Sequence, residues 1–207
     1  MKPLALFISF GWVLSSGTVV TFDQGSLGHA PLGWTFAMTN HGSPAQWQIL
    51  KDRTAPSPPY VLAQTSTDTA DRFPLAIFDN LRVKDGDVSV RIKPVAGRED
   101  RAGGVVWRYR DPENYYIARV NALTHNVTVY KVQNGLRTQV LTAAHEIPAN
   151  EWITLKVSAR GDKFQVYLDH RRILQGVDKT FSTAGKVGLW TEADSIIYFD
   201  DFRVYPK

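Results

Sequence analysis

Residues 103–121 read GGVVWRYRDPENYYIARVN, and their alternation decides the fold class. Val105, Trp107 and Tyr109 fall on one face of an extended chain, with Val106, Arg108 and Arg110 on the other. Asp111-Pro-Glu-Asn has turn chemistry. The next run alternates Tyr116, Ala118 and Val120 against Tyr115, Ile117, Arg119 and Asn121. Two period-two runs flanking a turn predict a β-hairpin. Gly103-Gly104 lets strands approach closely or marks a bulge.

The same pattern extends in both directions. GDVSVRIKPV, from Gly86, alternates Val88, Val90 and Ile92 with Ser89, Arg91 and Lys93. NVTVYKV (126–132) and LRTQVLT (136–142) flank Asn134-Gly135, the pair that favours a two-residue hairpin. EWITLKVSAR (151–160), Gly161-Asp162, KFQVYLD (163–169) and RRILQG (171–176) read as a meander. GKVGLWTE (185–192) and SIIYFDDFRVY (195–205) close the chain. No long run has a 3.6-residue period; Asp178 to Thr183 is at most one helical turn. TAPSPPY (54–60) reads as a loop inside the domain, because strand-like VLAQT follows at once. Many short strands at close spacing predict one all-β, antiparallel, two-sheet jelly-roll sandwich over 18–207.

Composition agrees. Of 207 residues, 43% are hydrophobic, enough for a substantial core, and 12% are aromatic, which suits strands and sugar-binding faces alike. The net charge of +4 comes without a Lys/Arg block, which argues against a nucleic-acid partner. Cysteine is absent, excluding disulfides and thiolate metal sites. Residues 1–17 read as a signal peptide: Lys2, an apolar run from Leu4 to Leu14 too short to span a bilayer, then Ser15, Ser16 and Gly17. The alternative is a buried first strand. With the leader removed, the chain is expected to be periplasmic or extracellular, monomeric, and without a membrane span.

The acidic stretch EADSIIYFDD (192–201) admits three readings. Glu192 and Asp194 have the spacing that begins a glycosidase pair on one strand, but Ile196 and Ile197 stand where the next Glu is needed, and Ala-Asp-Ser suits a turn. Asp200 or Asp201, joined by Asp23, suits a calcium site if a bulge breaks the alternation. Otherwise these acids cap a loop or meet Arg203. The five histidines are scattered without zinc spacing, and no G-x-S-x-G elbow occurs.

From Phe22 onward the order of motifs resembles exported bacterial concanavalin A-like (laminin G-like) jelly rolls, related to the 3-keto-disaccharide hydrolase group. The carrying segments are FDQGSLGHAPLGW (22–34), RFPLAIFD (72–79), GGVVWRYRDPENYYIARVNA (103–122) and GKVGLWTEADSIIYFDDFRV (185–204). The resemblance implies two stacked, curved sheets, with carbohydrate on a concave face. It also implies N- and C-terminal strands paired at an edge, with a structural calcium there.

The leading functional expectation is an exported, non-catalytic module that binds an oligo- or polysaccharide. Arg108, Arg110, Tyr115, Arg119, Asn121 and Trp190 are its candidate ligand-binding residues. Arginine and asparagine forks take paired hydroxyls, and a ring packs against the sugar's C–H face. The alternative for these residues is core packing for the aromatics and a solvated face for the cations. A rival class is a hydrolase or lyase of (3-keto-)glycosides, with Glu192, Asp194, His125 and Glu113 as acid/base candidates. A third is a structural or adhesive module with no small ligand.

Overall fold

A computed structural model describes residues 17–207; the leader assigned to residues 1–17 lies outside the described residues but for Gly17. The strands, numbered along the chain, form two antiparallel sheets. The eight-stranded sheet runs β13 (Arg171–Val177), β12 (Lys163–Leu168), β11 (Ile153–Arg160), β6 (Gly86–Ala96), β15 (Ile196–Pro206), β4 (Tyr60–Gln64) and β3 (Trp47–Lys51), with β1 (Thr18–Val20) also on β15. The seven-stranded sheet runs β10 (Leu136–Ala144), β9 (Asn126–Gln133), β8 (Asn114–Asn121), β7 (Ala102–Asp111), β14 (Gly185–Thr191), β5 (Phe73–Val83) and β2 (Trp34–Thr39). This is the two-sheet jelly-roll sandwich that the alternation predicts.

The hairpins fall where the turn residues put them. Asn134 and Gly135 have φ of 52° and 77°, the left-handed pair that a two-residue turn requires. Ala102 pairs with Asn121 at one end of the β7–β8 hairpin and Asp111 with Asn114 at the other. No helical turn forms over 178–183: Asp178 instead accepts from the Thr180 N–H at 2.8 Å and the Tyr116 hydroxyl at 2.6 Å. The first and last strands among the described residues pair, but β15 is interior. β4 and β1 share one flank of it, Phe199 opposite Leu62 and Val20 opposite Phe202. Between these partners sits a bulge with Asp201 at φ 48°.

The main core lies between the sheets and includes Trp34, Trp47, Phe199, Phe202, Trp107 and Tyr116. A second buried cluster covers the other face of the seven-stranded sheet: Phe73, Leu75, Ile77, Val106, Tyr109, Tyr115, Ile117 and Trp190. Tyr109 belongs here rather than with Val105 and Trp107. Arg108, at φ 51°, sits in a bulge that reverses the alternation of the last residues of β7. Gly104 is required by close approach: a Cβ would lie 2.2 Å from the Ala118 carbonyl oxygen.

Candidate functional site

The outer face of the seven-stranded sheet is concave, a candidate cleft. β10 and β5 are five places apart in the sheet, about 24 Å at the usual ~4.8 Å spacing. Yet the Arg137 guanidinium of β10 lies 4.2 Å from the centre of the Phe73 ring of β5. Side chains cannot close that span across a flat sheet, so the sheet curls over its outer face. The second apolar cluster forms the floor.

At the end of this cleft where β14 leaves the sheet, charge gathers. Glu192 follows β14 directly and is 5% exposed. Its carboxylate accepts a hydrogen bond from Arg137 and stands 3.7 Å from Arg119 Nη1. Arg119 projects from β8 beside Gly104, which is itself in register with Trp190. Its guanidinium donates to the Tyr130 hydroxyl at 3.0 Å and lies 5.3 Å from that ring's centre; Arg137 lies 4.8 Å from the same ring. The rings of Phe73 and Tyr130 thus serve as surfaces for cations.

Asp100 completes the group. Its Oδ1 accepts from Asn121 Nδ2 at 2.6 Å. Burial, with Glu192 close by, pushes its carboxyl up to about 6 against the pull of Arg119, Asn121 and Arg137. The loop that presents Asp100 is fixed by Asp194, whose carboxylate accepts from the backbone N–H groups of Arg98, Glu99 and Asp100 at 2.7, 3.2 and 3.1 Å. Ala193, at φ 46°, donates its N–H to the Arg72 carbonyl at 3.0 Å, and Ser195 N–H closes the turn on the Glu192 carbonyl at 2.9 Å.

Two guanidiniums and two carboxylates therefore meet at the wall of one cleft. Arg119 Nη1 and Glu192 Oε2 face each other as an ion pair at 3.7 Å without a hydrogen bond, and Arg119 Nε is buried without a partner. An unpartnered buried donor is costly unless something else satisfies it. Chemically the group offers forked donors and charged acceptors side by side, the pattern that holds vicinal hydroxyls.

The sequence candidates divide. Arg119, Asn121 and Glu192 converge here, Asn121 as the residue that holds Asp100. Trp190 and Tyr115 lie on the same face but are fully buried, so neither ring is a platform for sugar. Trp190 packs on Phe73 at 5.6 Å, and the Tyr115 hydroxyl shares a 2.6 Å bond with Thr39. Arg108 does not join: it is buried and donates to the carbonyls of Lys84 (3.1 Å), Phe181 (2.6 Å) and Gly161. The bulge at its own position turns it towards those loops. Arg110 is exposed, its guanidinium 5.0 Å from the Phe181 ring and 3.2 Å from Thr183 Oγ1. The acid/base set does not assemble. Asp194 is spent on backbone N–H groups because the turn at Ala193 breaks its alternation with Glu192. Glu113 and His125 occupy turns at opposite ends of β8, with His125 3.2 Å from the exposed Glu146.

Arg137, Tyr130 and Asp100 escaped the sequence reading. Tyr130 lies opposite Ile117, two residues from Arg119 along the face they share. Nothing local marks Asp100, which sits in the charge run REDR (98–101) that reads as a solvated loop.

The bulge that a calcium site would need is present, at Asp201. Asp200 accepts from the N–H groups of Ser57 (2.8 Å) and Asp201 (2.7 Å), Asp201 accepts from the Ser57 hydroxyl (2.9 Å), and Asp23 faces the Tyr60 N–H (3.4 Å). Burial, with Asp201 and Asp23 nearby, raises the Asp200 carboxyl to about 6. These oxygens are directed at protein donors. Among the described residues no group of three or more His, Asp or Glu is arranged to hold a metal ion.

No family model matches the chain. A stretch of 101 residues, 48% of the chain, is 35% identical to levanase of Bacillus subtilis (strain 168) and spans 14% of that protein. Among solved structures, the carbohydrate-binding module CBM66 from Bacillus subtilis superposes with a TM-score of 0.64 at 26% identity, over 83% of this chain and 94% of that one. The β-glucanase of Bacillus licheniformis gives a TM-score of 0.59 at 13% identity, over 88% of this chain and 96% of that one. The fold is therefore that of the concanavalin A-like jelly rolls. The first two likenesses support a carbohydrate-binding module. No helix among the described residues is long and apolar enough to cross a membrane.

Proposed function

We propose that the protein is an exported, non-catalytic carbohydrate-binding module whose site is the cleft bounded by Arg119, Arg137, Glu192, Asp100 and Tyr130. The observation that carries this reading is the convergence of Arg119, Arg137, Glu192 and Asp100 beside Tyr130, which sets forked donors next to charged acceptors. A polyhydroxylated ring supplies acceptors to the guanidinium and donors to the carboxylates at once. Because two cations face two anions, the site suits a neutral sugar. The likeness to levanase makes levan, a neutral fructan, the first ligand to test. Recognition rests on charged hydrogen bonds rather than on ring stacking, since the floor's largest ring, Trp190, is fully covered. Isothermal titration with levan oligosaccharides tests this: saturable binding that Arg119→Ala abolishes is expected, and binding unchanged in that variant refutes the placement.

One observation favours a second reading, hydrolysis. Asp100, raised to about 6 beside Glu192, pairs an acid with a carboxylate. Against it, Glu192 is engaged by Arg137 and flanked by Arg119, which lowers its value as a nucleophile or base. Mass analysis of levan oligosaccharides after prolonged incubation separates the two: shortened chains that disappear with Asp100→Asn would establish the hydrolase.

A further inference from the structure

The outer face of the eight-stranded sheet carries a second constellation, on the other side of the sandwich from the cleft. Alternation buries Val88, Val90 and Ile92 of β6 and Leu155 and Val157 of β11, so the intervening residues face out. Register then aligns them in rows across the strands. One row reads Tyr167, Lys156, Ser89, Arg203. The next reads Thr154, Arg91, Asp200, and the third sets Lys93 opposite Tyr198, with the Trp152 ring 5.8 Å from the Lys93 ammonium. Rows are about 7 Å apart and strands about 4.8 Å apart. Four cations, Arg91, Lys93, Lys156 and Arg203, are thus gathered among tyrosines.

Carboxylates do not engage all of them: Asp200, opposite Arg91, accepts from the Ser57 and Asp201 N–H groups instead. Asp52 holds Lys93 at 2.8 Å and Asp201 holds Arg203 at 3.1 Å. Asp87, on the same face, is engaged by Arg160 at 2.9 Å. Among the described residues, Arg91 and Lys156 have no carboxylate partner. Arg91 donates to Thr154 Oγ1 at 3.3 Å and the Trp152 carbonyl at 3.5 Å, and its Nε is buried and unpartnered. Lys156 rests 4.2 Å from the Tyr167 ring centre. Arg91, Lys156, Tyr167 and Tyr205 line a depression of about 390 Å³, with Asp87 and Asp201, held by Arg160 and Arg203, also on its wall, and Tyr205 is 41% exposed. The cleft balances its charges; this face leaves cations open beside rings.

We propose that this face is a second glycan-binding surface, one that takes the carboxylates of a linear anionic polysaccharide, a polyuronate. The unpaired Arg91 and Lys156 receive carboxylates, and Tyr167 and Tyr205 pack against the sugar rings between them. With one site for a neutral glycan and one for an acidic glycan on opposite faces, the module bridges two polymers.

The test is affinity electrophoresis of the whole chain in gels containing polygalacturonate, levan or inorganic polyphosphate. Polygalacturonate should retard the protein at low salt, and the effect should fade as the salt approaches ~0.15 M, where exposed charges are screened. Lys156→Glu should cut this affinity about ten-fold or more and Lys156→Gln by several-fold, both without changing retardation by levan. Tyr167→Ala should weaken polygalacturonate alone. Arg119→Ala should do the reverse, losing levan and keeping polygalacturonate, so failure of the cleft assignment and of this one are read separately. No retardation by polygalacturonate at low salt, or retardation untouched by Lys156→Glu, overturns the proposal. Equal retardation by polyphosphate, insensitive to Tyr167→Ala, overturns the assignment to a sugar acid.

Discussion

Asp100→Asn should make the protein more stable at neutral pH while weakening its hold on sugar. The Asp100 carboxyl is raised from 3.8 to about 6 by burial and by Glu192. The folded state therefore binds a proton that the unfolded state has lost. Ionising Asp100 costs nothing extra below about pH 4, costs progressively more as pH rises to about 6, and costs its full amount above that. Two pKa units correspond to about 3 kcal/mol, which solvent at this half-buried group reduces to about 1–2 kcal/mol. Asparagine keeps an oxygen to accept from Asn121 Nδ2 and removes the charge facing Glu192.

Urea unfolding of the wild type and the variant at pH 4 and pH 7 isolates this group, because the Asp200 contribution, which has the same sign, is common to both. The expected result is a gain of about 1–2 kcal/mol at pH 7 and none at pH 4. Levan affinity should fall about ten-fold at pH 7, as one charged acceptor becomes an amide. Stability gained as binding is lost is the signature of a strained binding site. A variant less stable at pH 7, or a difference equal at both pH values, would refute the electrostatic account of the cleft.

Four further outcomes are expected. Arg119→Lys keeps the charge but loses the fork and should cost at least about 1.4 kcal/mol of levan binding, a ten-fold rise in Kd by titration calorimetry. Arg108→Met strips the donor from three loop carbonyls and should lower unfolding free energy by about 3–5 kcal/mol while the folded fraction binds sugar normally. Gly104→Ala drives a Cβ to 2.2 Å from the Ala118 carbonyl oxygen and should cost about 3 kcal/mol or more, whereas Gly161→Ala meets open space and should cost about 1 kcal/mol, by thermal or urea unfolding. Millimolar calcium should leave Tm unchanged, because Asp23, Asp200 and Asp201 face protein donors; a Tm that climbs with calcium concentration would refute this.

The fold was legible because a sandwich strand writes its burial into every second residue. β6 and β11 alternate without interruption, and Asn134-Gly135 supplies the positive φ values that its turn demands. Legibility failed where one residue reverses the parity. The bulge at Arg108 moves Tyr109 to the other face and sends a cation that alternation assigned to a binding surface into the loops below it. β5 is harder to read for a different reason. FPLAIFDNLRV is buried on both faces at its start, so alternation is absent there, and Pro74 discourages a strand although it stands in register with Met38.

The cleft is half legible for a reason of distance. Arg119 and Asn121 stand out because a cation and an amide interrupt an apolar strand, a cost that needs a local justification. Arg137 and Asp100 raise no such alarm, since edge strands and loops are expected to be charged. What brings them to Arg119 is the curl of the sheet, which sets β10 over β5, and the three N–H bonds by which Asp194 holds residues 98–100. Asp194 drew notice as half of an acid pair, and its burial is real, but its role is to place another acid. A carboxylate that accepts three backbone N–H groups is satisfied and fixed, whereas the one it positions is left raised and close to Glu192. The candidate site is thus built from a residue the strand pattern reveals and a residue only the folded loop can deliver, and changing Asp194 should damage binding by letting Asp100 drift rather than by removing a contact to sugar.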